Sequence, residues 1–231
     1  PFYYDGLYLT YNGEVYNYKE IRSELISLGY KFKTKSDTEV ILISYHKWGR
    51  KMLDKMNGMF SFSIYDSNKN IIFSARDRLG VKPFYYKFNN GNFEISSQIS
   101  PLENNSLTIN NIAISAYLKT GYIPSPLSIY NEINKLSPGC YMIIDLKSNK
   151  ISIKKYWDLT KTNQVKISYD EALNELEKLI TDSVKIRLNS DVPMGTFLSG
   201  GIDSALITSI ASKISNKKIN TFTIGFEETH Y

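Results

Sequence analysis

Between residues 197 and 206 the chain reads FLSGGIDSAL, which sets two adjacent glycines, two serines and one aspartate between apolar runs. A strand that enters a glycine turn and leaves it as a helix places free backbone N–H groups and the positive helix end at one spot, which is an anion site. Gly200 and Gly201 let an oxygen approach the backbone, and Ser199 and Ser204 add hydroxyl donors. A Walker A loop is excluded, because that motif requires a lysine absent here. Asp203 is the odd member, since a carboxylate beside a phosphate repels it. A cation such as Mg²⁺ between the two removes the conflict. The plainer reading of the same residues is a tight turn in which Asp203 or Ser204 caps the helix.

A second set lies upstream, in NGEVYNYKEIR (12–22) and KSDTEVI (35–41). Its polar members are Asn12, Gly13, Glu14 and Asp37. Each has a plain alternative: Asn-Gly is a common turn dipeptide, Asp37 can cap a helix, and Glu14 alone says little.

The elements that must hold these residues fall into two classes. Up to about residue 155 the pattern is mostly β. LYLTYNG (7–13) is a strand ending in a turn, and Phe60, Phe62 and Ile64 alternate with serines at the period of a half-buried strand. IIFSA (71–75) follows a turn, and FYYKFNNGNFEIS forms a hairpin about an Asn-Gly signal. Two short helices intervene. Ile21, Leu25 and Leu28 are spaced for one face before Gly29, and Ser36 to Glu39 has capping-box spacing ahead of a helix running to Trp48. Past Trp157 the pattern changes. Ser168 to Glu171 is another capping box, and Leu173, Leu176, Ile180, Val184 and Leu188 repeat at helical spacing. VPMGTFL (192–198) reads as a strand buried in a parallel sheet. The helix from Ala205 to Ile214 and a strand over 219–226 then begin a βαβ unit.

Composition narrows the classes. A 42% hydrophobic and 22% charged chain is ordinary globular material. The net charge of +5 is mild and its cations are scattered, so no nucleic-acid partner is expected. One cysteine, Cys140, forbids an internal disulfide and points to the cytoplasm, and no apolar run suggests a membrane partner. His46 and His230 are too far apart in sequence to suggest a metal cluster. The start at Pro1 and the end after TFTIGFEETHY suggest a piece of a longer protein, cut at both ends.

SGGIDS after VPMGTFL resembles the pyrophosphate loop of ATP-pyrophosphatases, and VPMGTFLSGGIDSALI resembles the synthetase domain of the glutamine-hydrolysing asparagine synthase family. The first 155 residues are similar to that family's N-terminal amidotransferase domain, through the two upstream segments, GMFSFSIYD and ARDRLGVKPFYY. The resemblance implies an α+β glutaminase domain of the N-terminal-nucleophile type, with antiparallel sheets and helices, over residues 1–155. A linker over 156–167 and the start of an α/β parallel-sheet ATP-pyrophosphatase domain over 168–231 follow.

It also implies glutamine, ATP and aspartate as substrates and Mg²⁺ as the metal. Asn12 and Gly13 match the family's oxyanion donors, the first by its side-chain amide and the second by its backbone N–H. Glu14 and Asp37 match the acids that grip glutamine's α-ammonium and amide ends. Leu198, Ser199, Gly200, Gly201, Asp203, Ser204 and Ile224 match the ATP site, with Asp203 beside the metal. Leu198 and Ile224 read equally well as strand core. Arg76 and Asp77, with Gly80 and Pro83, are read as an ion pair and turn under the sheet. The family's nucleophile is an N-terminal cysteine, upstream of Pro1. Cys140, in SPGCYMIIDL, is read instead as buried and structural.

The implied reaction amidates aspartate to asparagine through β-aspartyl-AMP, with ammonia from glutamine. Another acceptor carboxylate, such as a sugar acid or a β-lactam-type precursor, and a non-catalytic ATP-binding relative stay open. So does the oligomeric state, a homodimer being one option.

Overall fold

Alternation along residues 58–66 becomes the third strand of a six-stranded antiparallel sheet. The computed structural model describes residues 1–89, 91–162, 164–188, 192–216 and 218–225, in two units, Pro1–Thr162 and Asn163–Tyr231. In chain order the first unit holds β1 (Phe2–Tyr4), β2 (Leu7–Val15), α1 (Tyr18–Ser27), α2 (Asp37–Trp48), α3 (Met52–Lys55) and β3 (Gly58–Asp66). Then come β4 (Ile71–Arg76), β5 (Tyr85–Asn89), β6 (Asn92–Ser96), α4 (Asn111–Thr120), β7 (Ile133–Lys135), β8 (Cys140–Asp145) and β9 (Lys150–Lys155). The large sheet has the order β1-β2-β3-β4-β8-β9, and a second antiparallel sheet has the order β6-β5-β7.

One face of the large sheet makes the core. Leu7, Leu9 and Val15 of β2 and Phe60, Phe62 and Ile64 of β3 cluster with Ile21 and Leu25 of α1 and Val40 to Ile43 of α2. Burying a phenylalanine of this kind contributes about 1.5–3 kcal/mol, more than helix propensity supplies per residue, so packing on the sheet holds the helices. On the other face stand Ser61 and Ser63 of β3 and Ser74 of β4, and the Ser63 and Ser74 hydroxyls meet at 2.6 Å. Cys140 is buried in β8 as expected, and burial raises its thiol pKa.

Three local expectations are corrected. Leu28 is 47% exposed, because α1 ends at Ser27 and the chain turns away before Leu28 can continue the face of Ile21 and Leu25. Ser36 caps α2 by accepting from the Thr38 amide, but Glu39 does not close the capping box. Its carboxylate accepts from the Lys33 amide at 2.8 Å and from the Thr34 amide and hydroxyl at 2.6 and 2.7 Å, which ties down the preceding loop. Nor do Arg76 and Asp77 form an ion pair. The Arg76 guanidinium donates to the carbonyls of Gly80, Lys82 and Leu136, while Asp77 accepts from the amides of Phe60, Leu79, Val81 and Lys82. Backbone groups, already crowded at this turn, satisfy both charges.

The second unit holds α5 (Tyr169–Arg187), β10 (Gly195–Phe197), α6 (Ile202–Ile214) and β11 (Asn220–Phe222). The capping box at Ser168 and Glu171 is formed. β10 and β11 pair in parallel through α6, as a βαβ unit requires. Both strands are shorter than their apolar runs, and residue 226 of the expected second strand lies outside the described residues. The expected burial of this sheet is not found: Phe197 is 79% exposed, and Leu173 and Leu176 of α5 are also open. A parallel sheet needs cover on both faces, and two strands with two helices cannot provide it.

Candidate active site

Asn12, Gly13 and Glu14 lie near the end of β2, where the ladder fixes what each presents. Gly13 stands opposite Phe60 of β3. Phe60 uses its backbone on the other side: its N–H donates to Asp77 Oδ2 at 3.2 Å, and its carbonyl accepts from the Asp77 amide at 2.8 Å. The Gly13–Phe60 pair is therefore of the non-hydrogen-bonded kind, and the Gly13 N–H is turned away from β3. β1 covers that outer edge only along Leu7 to Leu9. Glycine is required here, since its φ is 147° and a Cβ would collide with the Met59 carbonyl and the Phe60 Cα.

Asn12 pairs with Ser61 and Thr10 with Ser63. These four side chains share the polar face of the sheet and line a cleft of about 360 Å³, closed on another side by Phe84, Ile95 and Ser96. The Asn12 amide thus has a cleft of mixed hydroxyl and apolar lining beside it, while the neighbouring amide of Gly13 points off the strand edge.

Asp37 arrives from α2. It is the first residue of that helix and not its cap, a role Ser36 takes. Its Oδ2 accepts from the Tyr11 hydroxyl at 2.7 Å and from the Val15 amide at 3.0 Å. The carboxylate is therefore bound to β2 on either side of Asn12–Glu14. Burial, and then the Asp37 charge and hydrogen bond, raise the Tyr11 pKa, so Tyr11 stays a protonated donor. Behind Asp37, Glu39 is 1% exposed and holds the loop that leads into the helix. Burial alone would raise its pKa, but the Lys33 and Thr34 hydrogen bonds and Arg22 outweigh it and leave Glu39 below the usual carboxylate range. The structure thus brings Asn12, Gly13, Glu14 and Asp37 to one end of β2. Tyr11 escaped the sequence reading, because a strand tyrosine carries no signal of its partner 26 residues away.

In the second unit the loop is ordered by a single hydroxyl. Ser204 Oγ donates to the Gly201 carbonyl at 3.0 Å and accepts from the Ser199 amide at 3.2 Å and the Ser199 hydroxyl at 3.1 Å. Neither Asp203 nor Ser204 is the cap of α6. Gly201 is, and it offers no capping side chain to the first-turn amides. Gly200 has φ 81° with open space where a Cβ would stand. The Ser199 amide and hydroxyl both bond Ser204.

Leu198 donates its amide to the Phe222 carbonyl, and its own carbonyl accepts from the Thr223 hydroxyl. Leu198 and Ile224 thus follow the carboxyl ends of two paired parallel strands, at the end where the loop sits, and Ile224 is 78% exposed. Among the described residues no three acidic, histidine or cysteine side chains gather as a metal cage, and Asp203 is the one carboxylate of the loop. That donor set fits a Mg²⁺ that keeps waters and phosphate oxygens as its other ligands.

Comparison with known proteins assigns a family to each of the two segments. Residues 1–157 match the glutamine amidotransferase domain family, and residues 175–231 match the asparagine synthase family. A Methanocaldococcus jannaschii protein is 40% identical over 227 residues, covering 95% of this chain and 43% of its own length. Asparagine synthetase [glutamine-hydrolyzing] 1 of Bacillus subtilis is 36% identical over 98% of this chain and 36% of its own. Asparagine synthetase B [glutamine-hydrolyzing] of Escherichia coli is 33% identical over 91% of this chain and 33% of its own. The chain spans less than half the length of these relatives. By the match over its first 157 residues, the chain belongs to the glutamine amidotransferase domain family, joined to a segment of the asparagine synthase family.

Proposed function

We propose that this chain is the glutaminase region and the nucleotide loop of a glutamine-hydrolysing asparagine synthase, with an N-terminal-nucleophile architecture in its first domain. The single observation that carries the reading is the end of β2, where a side-chain amide and an outward-turned N–H stand at adjacent positions beside a pinned carboxylate. Hydrolysis of glutamine passes through a tetrahedral oxyanion, and two donors fixed in advance stabilise it without reorganising. Asn12 and Gly13 are those donors. Glu14 and Asp37 hold the α-ammonium and amide ends of glutamine.

In the second unit the front of α6 holds the ATP phosphates, with Gly200 and Gly201 letting them approach the backbone and Leu198 and Ile224 touching the nucleoside. Asp203 would hold the Mg²⁺, whose chemistry there is to neutralise phosphate charge as pyrophosphate leaves. The acceptor is aspartate, activated as β-aspartyl-AMP and amidated by ammonia from the first site. Residues 156–167 are proposed as the linker, the assembly as a homodimer and the compartment as the cytoplasm. No helix among the described residues is long and apolar enough to cross a membrane.

The test is pyrophosphate release by the complete polypeptide with ATP, Mg²⁺ and a panel of carboxylate acceptors, using glutamine or ammonium as nitrogen source. Aspartate-dependent release with either nitrogen source is expected. Release with a sugar acid in place of aspartate would move the acceptor, and no glutamine hydrolysis would remove the first site.

A further inference from the structure

We propose that Tyr11 is a positioning residue that fixes which oxygen of Asp37 faces glutamine. This rests on the reading of Asp37 as a glutamine contact. A carboxylate with two equivalent oxygens can rotate and share its charge among several partners. Asp37 is not in that state. Its Oδ2 takes two donors, the Tyr11 hydroxyl at 2.7 Å and the Val15 amide at 3.0 Å. Among the described residues its Oδ1 meets just the Ser36 hydroxyl, at 3.3 Å, and that hydroxyl stands closer to Thr38 Oγ1, at 3.0 Å. Two donors on one oxygen set the plane of the carboxylate and leave the other oxygen for a cation.

The arrangement also joins two elements. Tyr11 and Val15 flank Asn12–Glu14 on β2, while Asp37 opens α2. The same carboxylate therefore ties the helix to the strand of the proposed oxyanion donors, and Glu39 holds the loop before α2 at Lys33 and Thr34. Of the two donors, the Val15 amide belongs to the strand and only the tyrosine hydroxyl is open to substitution. Burial and the adjacent charge keep that hydroxyl protonated.

Tyr11→Phe in the complete polypeptide removes one charge-assisted hydrogen bond. The glutamine KM should rise about tenfold, with kcat changed less than about twofold. Ammonia-dependent turnover should stay at wild-type level, which reports an intact fold. In an Asp37→Asn background the same substitution should add nothing further. A second variant, Tyr11→Gln, keeps a donor without the ring and should fall between wild type and Tyr11→Phe in KM. A lower kcat and melting temperature at unchanged KM would assign Tyr11 to packing and overturn the proposal. So would an equal rise in KM with and without Asp37. If Asp37→Asn itself leaves the glutamine KM unchanged, the glutamine site falls, and Tyr11 with it. If Asp37→Asn raises KM and Tyr11→Phe does not, only the role of Tyr11 falls.

Discussion

The two units solve the problem of holding polar groups in opposite ways. In the first, three acids around the β2 end are pinned by several donors each: Asp77 by four amides, Glu39 by three donors and the Oδ2 of Asp37 by two. In the second, one serine hydroxyl organises the loop, and the apolar residues around it, Phe197 and Ile224, are open. The difference matches what the proposed ligands require. An oxyanion exists only during the reaction, so its donors must be rigid beforehand. A triphosphate brings its own charge and metal, and amides at a helix front need only be uncovered to receive it.

Five substitutions break or sharpen that contrast. Asp203→Asn should abolish ATP–pyrophosphate exchange in the complete polypeptide while glutamine hydrolysis persists; exchange at the wild-type rate would remove the loop assignment. Asn12→Ala should lower glutaminase kcat about a hundred- to a thousandfold with little change in KM. A change confined to KM would make Asn12 a binding residue.

Two glycines compare the regions directly. Gly13→Ala drives a methyl into the backbone of β3 and should destabilise the first unit by about 2–5 kcal/mol, read by urea unfolding. Gly200→Ala meets no neighbour, so only the left-handed backbone resists it, at about 1–2 kcal/mol. Equal costs would mean that the loop is as tightly packed as the strand.

The smallest effect is set by pH. The folded state holds the Glu39 pKa below its ordinary value of 4.5. The stabilisation from this carboxylate is thus complete above that ordinary value and fades as pH falls through the lower folded one. Glu39→Gln should flatten this part of the acid-unfolding curve, followed by circular dichroism. An unaltered curve would assign the acid sensitivity to other carboxylates.

The strands were legible because period-two alternation reports directly which face is buried, as at Phe60, Phe62 and Ile64. The candidate site residues were legible as types and spacings: Asn12, Gly13 and Glu14 are contiguous, and Asp37 opens a helix whose cap the sequence also displays. Side-chain destinations were less so. Glu39 has the spacing of a capping box, yet its carboxylate finds three donors in the loop before the helix, a better arrangement than one reciprocal bond. Arg76 and Asp77 adjoin in sequence, but their strand and turn send them to separate backbone groups. In the second unit an apolar strand pattern stated that burial is needed without stating what supplies it.

The backbone of Phe60 has a reach beyond its own strand. By exchanging hydrogen bonds with Asp77, it fixes the parity of the next ladder across, and with it the side on which the Gly13 peptide shows its hydrogen. A slip of one residue between β2 and β3 would turn β2 over and draw the hydrogen inward, although no atom near the proposed glutamine site had been altered. The donor is in effect addressed from the neighbouring strand, and substitutions that shift this ladder belong among those expected to silence the proposed hydrolysis.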